Sequence, residues 1–447
     1  MEGQLSDALS TTLAQKITDG TSRNPPSLTR RDIRLPQVPG KALAVIGMRR
    51  AGKTYFLWQC LADRIAAGAP RETQLYFNFE DERLAGIQAI HLQNIVETYY
   101  RLYPQFRDTR RVTFYLDEIQ TVPGWETFVR RLLDDEKIDI FLSGSSARLL
   151  SREVATSMRG RALEVLVHPF SFRETLRHHH DEPLPEKTWD SLPKARRSAI
   201  DAHLRAYLSA GGFPETQGVA TRDRAALLRS YADVALLRDI IERHSITNPA
   251  ALRWLLRHLL GNAAAPFSAQ KFYDALRSQG LPVAKDTVHE YLAHLEDAFL
   301  IRTTSLHTAS ERQRMVNPRK AYPIDPGFIP LYERAQRANL GHALETAVLI
   351  ELERRGCEAT YVKTPAGFEI DFRAQPPTGP AQLIQVCADL TAPETHERET
   401  RALLDAAKTH PRAGLRLLTL DSTPPAQTLP QRIHWQSAAS WFLDGVL

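Results

Sequence analysis

The sequence predicts an α/β protein: a largely parallel sheet covered by helices, then a helical stretch, then a second α/β unit. Three observations predict it. Short apolar runs alternate with helix-compatible segments between residues 41 and 143. Residues 196–260 carry apolar side chains at three- and four-residue spacing. After about residue 336 a helix is again followed by alternating strand-like runs.

Taken in order, residues 1–40 hold an amphipathic start and the Asn24–Ser27 turn. Strands are expected at 41–46, 74–79, 112–116 and 138–143, with helices at 55–66 and 125–134. Helices at 225–243 and 250–261 lie in the helical stretch that begins near 196, and the break GGFP at 211–214 separates two of its helices. Ser268 is expected to cap a helix ending near Gly280, and Asp286 to cap a second over 287–298. A strand at 299–302 and a basic loop come next; helix–turn–helix–strand–loop is the layout of a winged helix. The last part restarts with a helix at 342–355. Strands near 359–362, 368–373, 382–386 and 415–420 and a helix at 397–408 complete it.

The bulk numbers bound the class. The 447 residues are 43% hydrophobic and 24% charged, ordinary for a globular chain of two to four domains. No apolar run is long enough to span a bilayer, and the first twenty residues lack a secretory layout. The three cysteines are far apart and have no metal spacing. A cytoplasmic protein is expected. A net charge of +5 permits a nucleic-acid partner without demanding one.

Residues 47–54 read GMRRAGKT, the pattern GxxxxGK(S/T), between an expected strand and an expected helix. Glycines let backbone N–H groups turn inward around a polyphosphate, and the new helix adds its positive end. Gly47, Met48, Arg49, Arg50, Ala51, Gly52, Lys53, Thr54 and Tyr55 are the expected polyphosphate-binding segment. Lys53 is to reach the β- and γ-phosphates and Thr54 to hold Mg²⁺. Downstream, VTFYLDE at 112–118 delivers two acids at the end of an apolar strand. Asp117 is expected to bind Mg²⁺ beside Thr54, and Glu118 to polarise the attacking water. Ser145 or Ser146 could sense the γ-phosphate, and Arg159 or Arg161 could serve as an arginine finger.

GMRRAGKT, LDEIQTVPGW at 116–125, LSGSSARLLS at 142–151, RGR at 159–161 and YLSAGGFPE at 207–215 together resemble a bacterial and archaeal group of AAA+ ATPases. The resemblance covers nearly the whole chain. It implies a P-loop NTPase core of the AAA+ (ASCE) type over 41–190, after an N-terminal arm at 1–40. A helical lid at 191–262, a winged helix at 263–335 and a nuclease-like domain at 336–447 would follow. It also implies a homo-oligomer, for example a hexameric ring, with ATP and Mg²⁺ at subunit interfaces.

The last domain resembles the PD-(D/E)xK nuclease fold. Glu345 fits the helix acid and Asp371 the strand acid, so both are candidate metal ligands. Gln385 and Cys387 stand where that fold carries an acid or amide and its lysine. A neutral thiol cannot replace an ammonium, so an inactive, DNA-docking or structural domain is expected; the alternative is a working nuclease in which Lys363 supplies the charge from an adjacent strand. For DNA, the expected recognition helix is acid-rich (Asp286, Glu290, Glu296, Asp297). Arg312, Arg314, Arg319 and Lys320 around the wing are the candidate phosphate contacts.

The expected function is therefore a Mg²⁺-dependent ATPase acting on structured or branched DNA, without a membrane partner. The competing readings are an ATP-controlled switch acting on a protein partner and an ATP-regulated nuclease.

Overall fold

The computed structural model describes residues 7–144, 158, 160–184, 187–281, 283–333 and 339–444. The chain forms two compact units, Met1–Val167 and His168–Leu447.

The first unit runs α1 (Asp7–Ser22), β1 (Ala42–Ile46), α2 (Lys53–Ala66), β2 (Gln74–Asn78), α3 (Gln93–Leu102), β3 (Val112–Asp117), α4 (Trp125–Asp135), β4 (Ile138–Ser143) and β5 (Ala162–Leu166). Its five strands are all parallel, in the order β2-β3-β4-β1-β5. Strand β3 is buried along its whole length, as expected of an apolar run covered on both faces. Helix α2 turns Phe56, Leu57, Trp58, Cys60 and Leu61 into a core shared with Val45, Tyr115, Phe141 and Val165. Each large side chain fully buried there is worth about 1.5–3 kcal/mol.

Strand order positions the site. Because β4 lies between β1 and β3, the ends of all three come together. Val45 pairs with Ser143, and Leu116 with Leu142, so Ser143 sits beside Asp117 at the rim. Within the expected N-terminal arm, Leu13 and Ile17 of α1 are fully buried and the helix packs on β2 and α3. Strand β5 was not among the expected elements. Its sequence ALEVL carries a mid-strand acid, Glu164, that hides the apolar run.

The second unit opens with helices. These are α5 (Phe172–His178), α6 (Lys194–Ala210), α7 (Thr221–Val234), a π-helical turn Ala235–Ile241 and α8 (Pro249–Gly261). Next come β6 (Pro266–Phe267), α9 (Ala269–Ser278), α10 (Lys285–Asp297), β7 (Ile301–Thr304), α11 (Glu311–Val316) and β8 (Arg319–Pro323). The three strands form an antiparallel sheet in the order β6-β8-β7. Ser268 caps α9 by accepting from the Lys271 N–H, as expected. Asp286 does not cap α10; the helix starts at Lys285, two residues before the expected 287, and Asp286 lies in its first turn. The expected basic loop is partly helical, as α11.

The final layer is α12 (Leu340–Arg354), β9 (Glu358–Lys363), β10 (Glu369–Gln375), β11 (Gln382–Cys387), α13 (Pro393–Thr409), β12 (Gly414–Thr419), β13 (Ile433–Ser437) and α14 (Ala438–Asp444). The sheet order is β13-β12-β11-β10-β9, antiparallel from β9 to β11 and parallel from β11 to β13. One core joins Leu344, Val348, Phe372, Ile384, Leu418 and Trp441 of this layer with Phe172, Leu204 and Tyr207 of α5 and α6. No helix among the described residues is long and apolar enough to cross a membrane.

Candidate active site

Gly47 follows β1 at φ 145°, and a side chain there would put its first carbon 2.2 Å from the Val167 carbonyl oxygen. Only glycine fits the turn. Gly52 closes the loop in the left-handed region at φ 99° and starts α2 with no side-chain cap. Gly52 thus offers no side-chain oxygen to the first-turn N–H groups of α2, the arrangement that suits an anion. Lys53 is buried and folds back over the loop, its Nζ donating to the carbonyls of Gly47 at 3.1 Å and Met48 at 3.2 Å. Arg31, a residue of the N-terminal segment with no motif around it, donates from below to the Ala51 carbonyl at 3.0 Å. Its own backbone is clamped to the Gln59 amide. Arg50 and Tyr55 are exposed, and Arg49 is half-buried.

Asp117, at the end of β3, is 1% exposed. Its Oδ2 accepts from Thr54 Oγ1 at 2.9 Å and from the Tyr76 hydroxyl at 2.6 Å. Its Oδ1 accepts from the Ser143 hydroxyl. The same Ser143 oxygen accepts the Glu118 N–H at 3.0 Å, so one side chain on β4 fixes both neighbours. Glu118 itself leaves the strand in the left-handed region at φ 55°, which turns its carboxylate away from the sheet. There it accepts from the Gln120 amide. Burial raises the Glu118 carboxyl above the ordinary glutamate range; Asp117 adds to the rise and Lys53 opposes it. Burial and the neighbouring Asp117 push the Tyr76 phenol up as well, so it stays a donor. Beside Thr54 a cavity of about 590 Å³ opens, lined in part by Arg23, Tyr55, Trp58 and Tyr76.

Two oxygen donors, Thr54 Oγ1 and Asp117 Oδ2, thus converge at the rim, the donor chemistry of a hard divalent cation. Sequence reasoning named both, but it missed Ser143, Tyr76 and Arg31. The first was overlooked in favour of the serines just beyond it. Ser145, Ser146 and Arg159 lie outside the described residues. Arg161 forms an ion pair with Asp134 of its own chain.

In the second unit, Glu345 on α12 and Asp371 on β10 are brought together, as expected of a shared site. What lies between them is Lys320. Its Nζ is 3.1 Å from Glu345 Oε1, 2.8 Å from Glu369 Oε1 and 3.4 Å from Asp371 Oδ1. Burial works against the charge on Lys320, and the three carboxylates overcome it, holding the ammonium above its ordinary value. Lys320 is only 3% exposed, so it faces no phosphate backbone, which corrects the expectation that it contacts DNA. Arg312, Arg314 and Arg319 are exposed; Arg314 pairs with Glu311 at 3.3 Å and Arg319 with Glu296 at 3.8 Å. Lys363 reaches Glu369 at 3.9 Å. Burial raises the Cys387 thiol to about 11, which keeps it neutral.

Comparison with known proteins fits this geometry. The sequence pattern of an AAA domain matches residues 39–176, and that of a domain of unknown function matches residues 201–336. An uncharacterised protein of Methanocaldococcus jannaschii is 33% identical over 384 residues, 85% of this chain and 81% of that protein. An uncharacterised protein of Haemophilus influenzae is 28% identical over 356 residues, 79% of this chain and 84% of that one. Among solved structures, a Walker-type ATPase of Pyrococcus abyssi is similar with a TM-score of 0.39 at 15% identity, over 72% of this chain and 94% of that one. The chain belongs to the family it shares with the Methanocaldococcus protein, a family of AAA+ P-loop ATPases.

Proposed function

We propose that this chain binds and hydrolyses ATP with Mg²⁺ and couples turnover to work on DNA. The observation that carries the ATPase reading is the 2.9 Å contact between Thr54 of the phosphate loop and Asp117 of β3, with Glu118 next in sequence. Thr54 and Asp117 would hold Mg²⁺, which supplies charge neutralisation at the β- and γ-phosphates. Lys53 exchanges its two loop carbonyls for phosphate oxygens. Ser143 and Tyr76 keep Asp117 aimed at the rim. Glu118, with its raised carboxyl, accepts the proton of the attacking water.

The DNA reading is favoured by one feature of the second unit: β6, α9, α10, β7 and β8, with strand order β6-β8-β7, follow the layout of a winged helix. Exposed Arg312, Arg314 and Arg319 around α11 and the start of β8 are the phosphate contacts in this proposal, with shape rather than sequence as the target. Residues 191–262 act as a helical lid, and the chain works as a homo-oligomer.

ATPase rates of the wild type and of Glu118→Gln, each with no DNA, duplex, single strand and junction, test both parts. Glu118→Gln should keep ATP but turn over roughly a hundredfold or more slower. Stimulation by DNA should fall in an Arg312→Ala/Arg314→Ala variant. Unchanged turnover in Glu118→Gln removes the base from that residue, and a rate indifferent to every DNA form removes the DNA part.

A further inference from the structure

The acids Glu345 and Asp371 invite a divalent metal, but the residues around them do not fit one. An ammonium has three donors, and Lys320 meets three carboxylates with them: Glu345 at 3.1 Å, Glu369 at 2.8 Å and Asp371 at 3.4 Å. The oxygens it takes, Oε1 of Glu345 and Oδ1 of Asp371, are the pair a bridging cation would need. Of the remaining oxygens, Asp371 Oδ2 accepts the Val386 N–H at 2.9 Å. Glu345 Oε1 also accepts the Tyr322 hydroxyl at 2.8 Å. Gln385, at the third expected ligand position, is turned to other partners: its Nε2 donates to Glu399 at 2.7 Å and its Oε1 faces the Asp371 N–H at 3.4 Å. Among the described residues no group of three or more His, Cys, Asp or Glu is placed to hold a metal ion.

Strand geometry explains how Lys320 gets there. Side chains alternate along β8, so Lys320 and Tyr322 share a face while Arg319 points to solvent. That face meets α12 and β10, and both side chains end on Glu345.

We propose that Lys320 is a built-in cation, filling the place a divalent metal would take between Glu345 and Asp371. The cluster then serves as a lock between the three-stranded sheet and the C-terminal α/β layer, and not as a metal or nuclease centre. Lysine suits this role. It is always present, needs no metal supply and brings its charge on the strand that must be held. Removing it leaves Glu345 and Asp371 facing one another without their counter-charge, with only Lys363 still reaching the third acid, Glu369, at 3.9 Å, a setting that recruits a cation from solution.

The test is Mn²⁺ binding by the nucleotide-free full-length chain, followed by electron paramagnetic resonance, with thermal melting in parallel. Wild type and Glu345→Gln should bind Mn²⁺ alike, and neither should nick plasmid DNA with Mn²⁺. Lys320→Met should gain a Mn²⁺ site roughly tenfold or more tighter than anything wild type shows there. Mn²⁺ should raise its melting temperature, and a further Glu345→Gln/Asp371→Asn change should abolish both effects. Should Lys320→Met not fold, the comparison of wild type with Glu345→Gln still decides. Mn²⁺ binding or plasmid nicking by wild type that Glu345→Gln removes would overturn the proposal. So would a folded Lys320→Met that gains no Mn²⁺ site.

Discussion

Ser143 decides the geometry of the candidate active site more than any residue in the two motifs. Its hydroxyl both donates to Asp117 and accepts from the Glu118 N–H, so it ties the Asp117 carboxylate to the backbone of Glu118. The motif residues were legible because each motif is contiguous and its spacing is imposed by phosphate geometry. Ser143 was not, because its partners are 25 and 26 residues away in sequence and meet it only through the β3–β4 register. Lys320 failed for a related reason. Beside Arg319 and after a basic run it reads as surface, yet its position two residues before the buried Tyr322 was the available signal that it points inward. A pH prediction belongs at this scale. Burial raises the Glu118 carboxyl, so the base of the proposed mechanism is lost to protonation at a higher pH than an ordinary glutamate would be. The acid limb of the turnover profile should lie above the usual glutamate range, and Glu118→Gln should lose that limb along with most of the rate. A wild-type limb at the ordinary glutamate value would refute the role of burial.

Among elements, the junction between the end of α6 and the segment before α12 depends on one buried carboxylate. Asp325 Oδ2 accepts the Gly212 N–H at 2.6 Å and Oδ1 accepts the Gly327 N–H at 2.9 Å. Gly211 leaves α6 at φ 79°, and a side chain there would begin 1.8 Å from Asp325 Oδ1, which is why the GGFP break tolerates nothing larger. Asp325→Ala orphans two buried N–H groups and should cost about 2–4 kcal/mol in chemical denaturation. Burial raises the Asp325 carboxyl from 3.8 to about 6 in the fold, so the folded state holds its proton more tightly than the unfolded chain. Its contribution is complete below the unfolded value and is lost as pH rises through the folded one. Wild type should therefore lose stability relative to Asp325→Asn between about pH 4 and pH 6. A difference that stays flat or reverses across that window would contradict the assignment. At this scale the sequence anticipated most strands of the two five-stranded sheets within a few residues, because their apolar periods are clean. It missed β5, β13, whose sequence IHWQS mixes polar and apolar side chains without a clear period, and β6 and β8 of the three-stranded sheet.

For the molecule as a whole, the first unit has the strand order and converging side chains of a P-loop core, and among the described residues the second contains no comparable loop. The second unit instead invests its buried charge in fixed contacts, Asp325 at one junction and Lys320 at another. In the proposed function, turnover belongs to the first unit and partner contact to the second. The claim on which the rest depends is that Lys53 and the loop around it hold ATP. Calorimetric titration of the full-length chain with ATP and Mg²⁺ tests it most directly. Wild type should bind about one ATP per chain, and Lys53→Ala should bind at least roughly tenfold more weakly at unchanged melting temperature. A folded wild-type chain that takes up no ATP, or a Lys53→Ala variant that binds it equally well, would contradict the account.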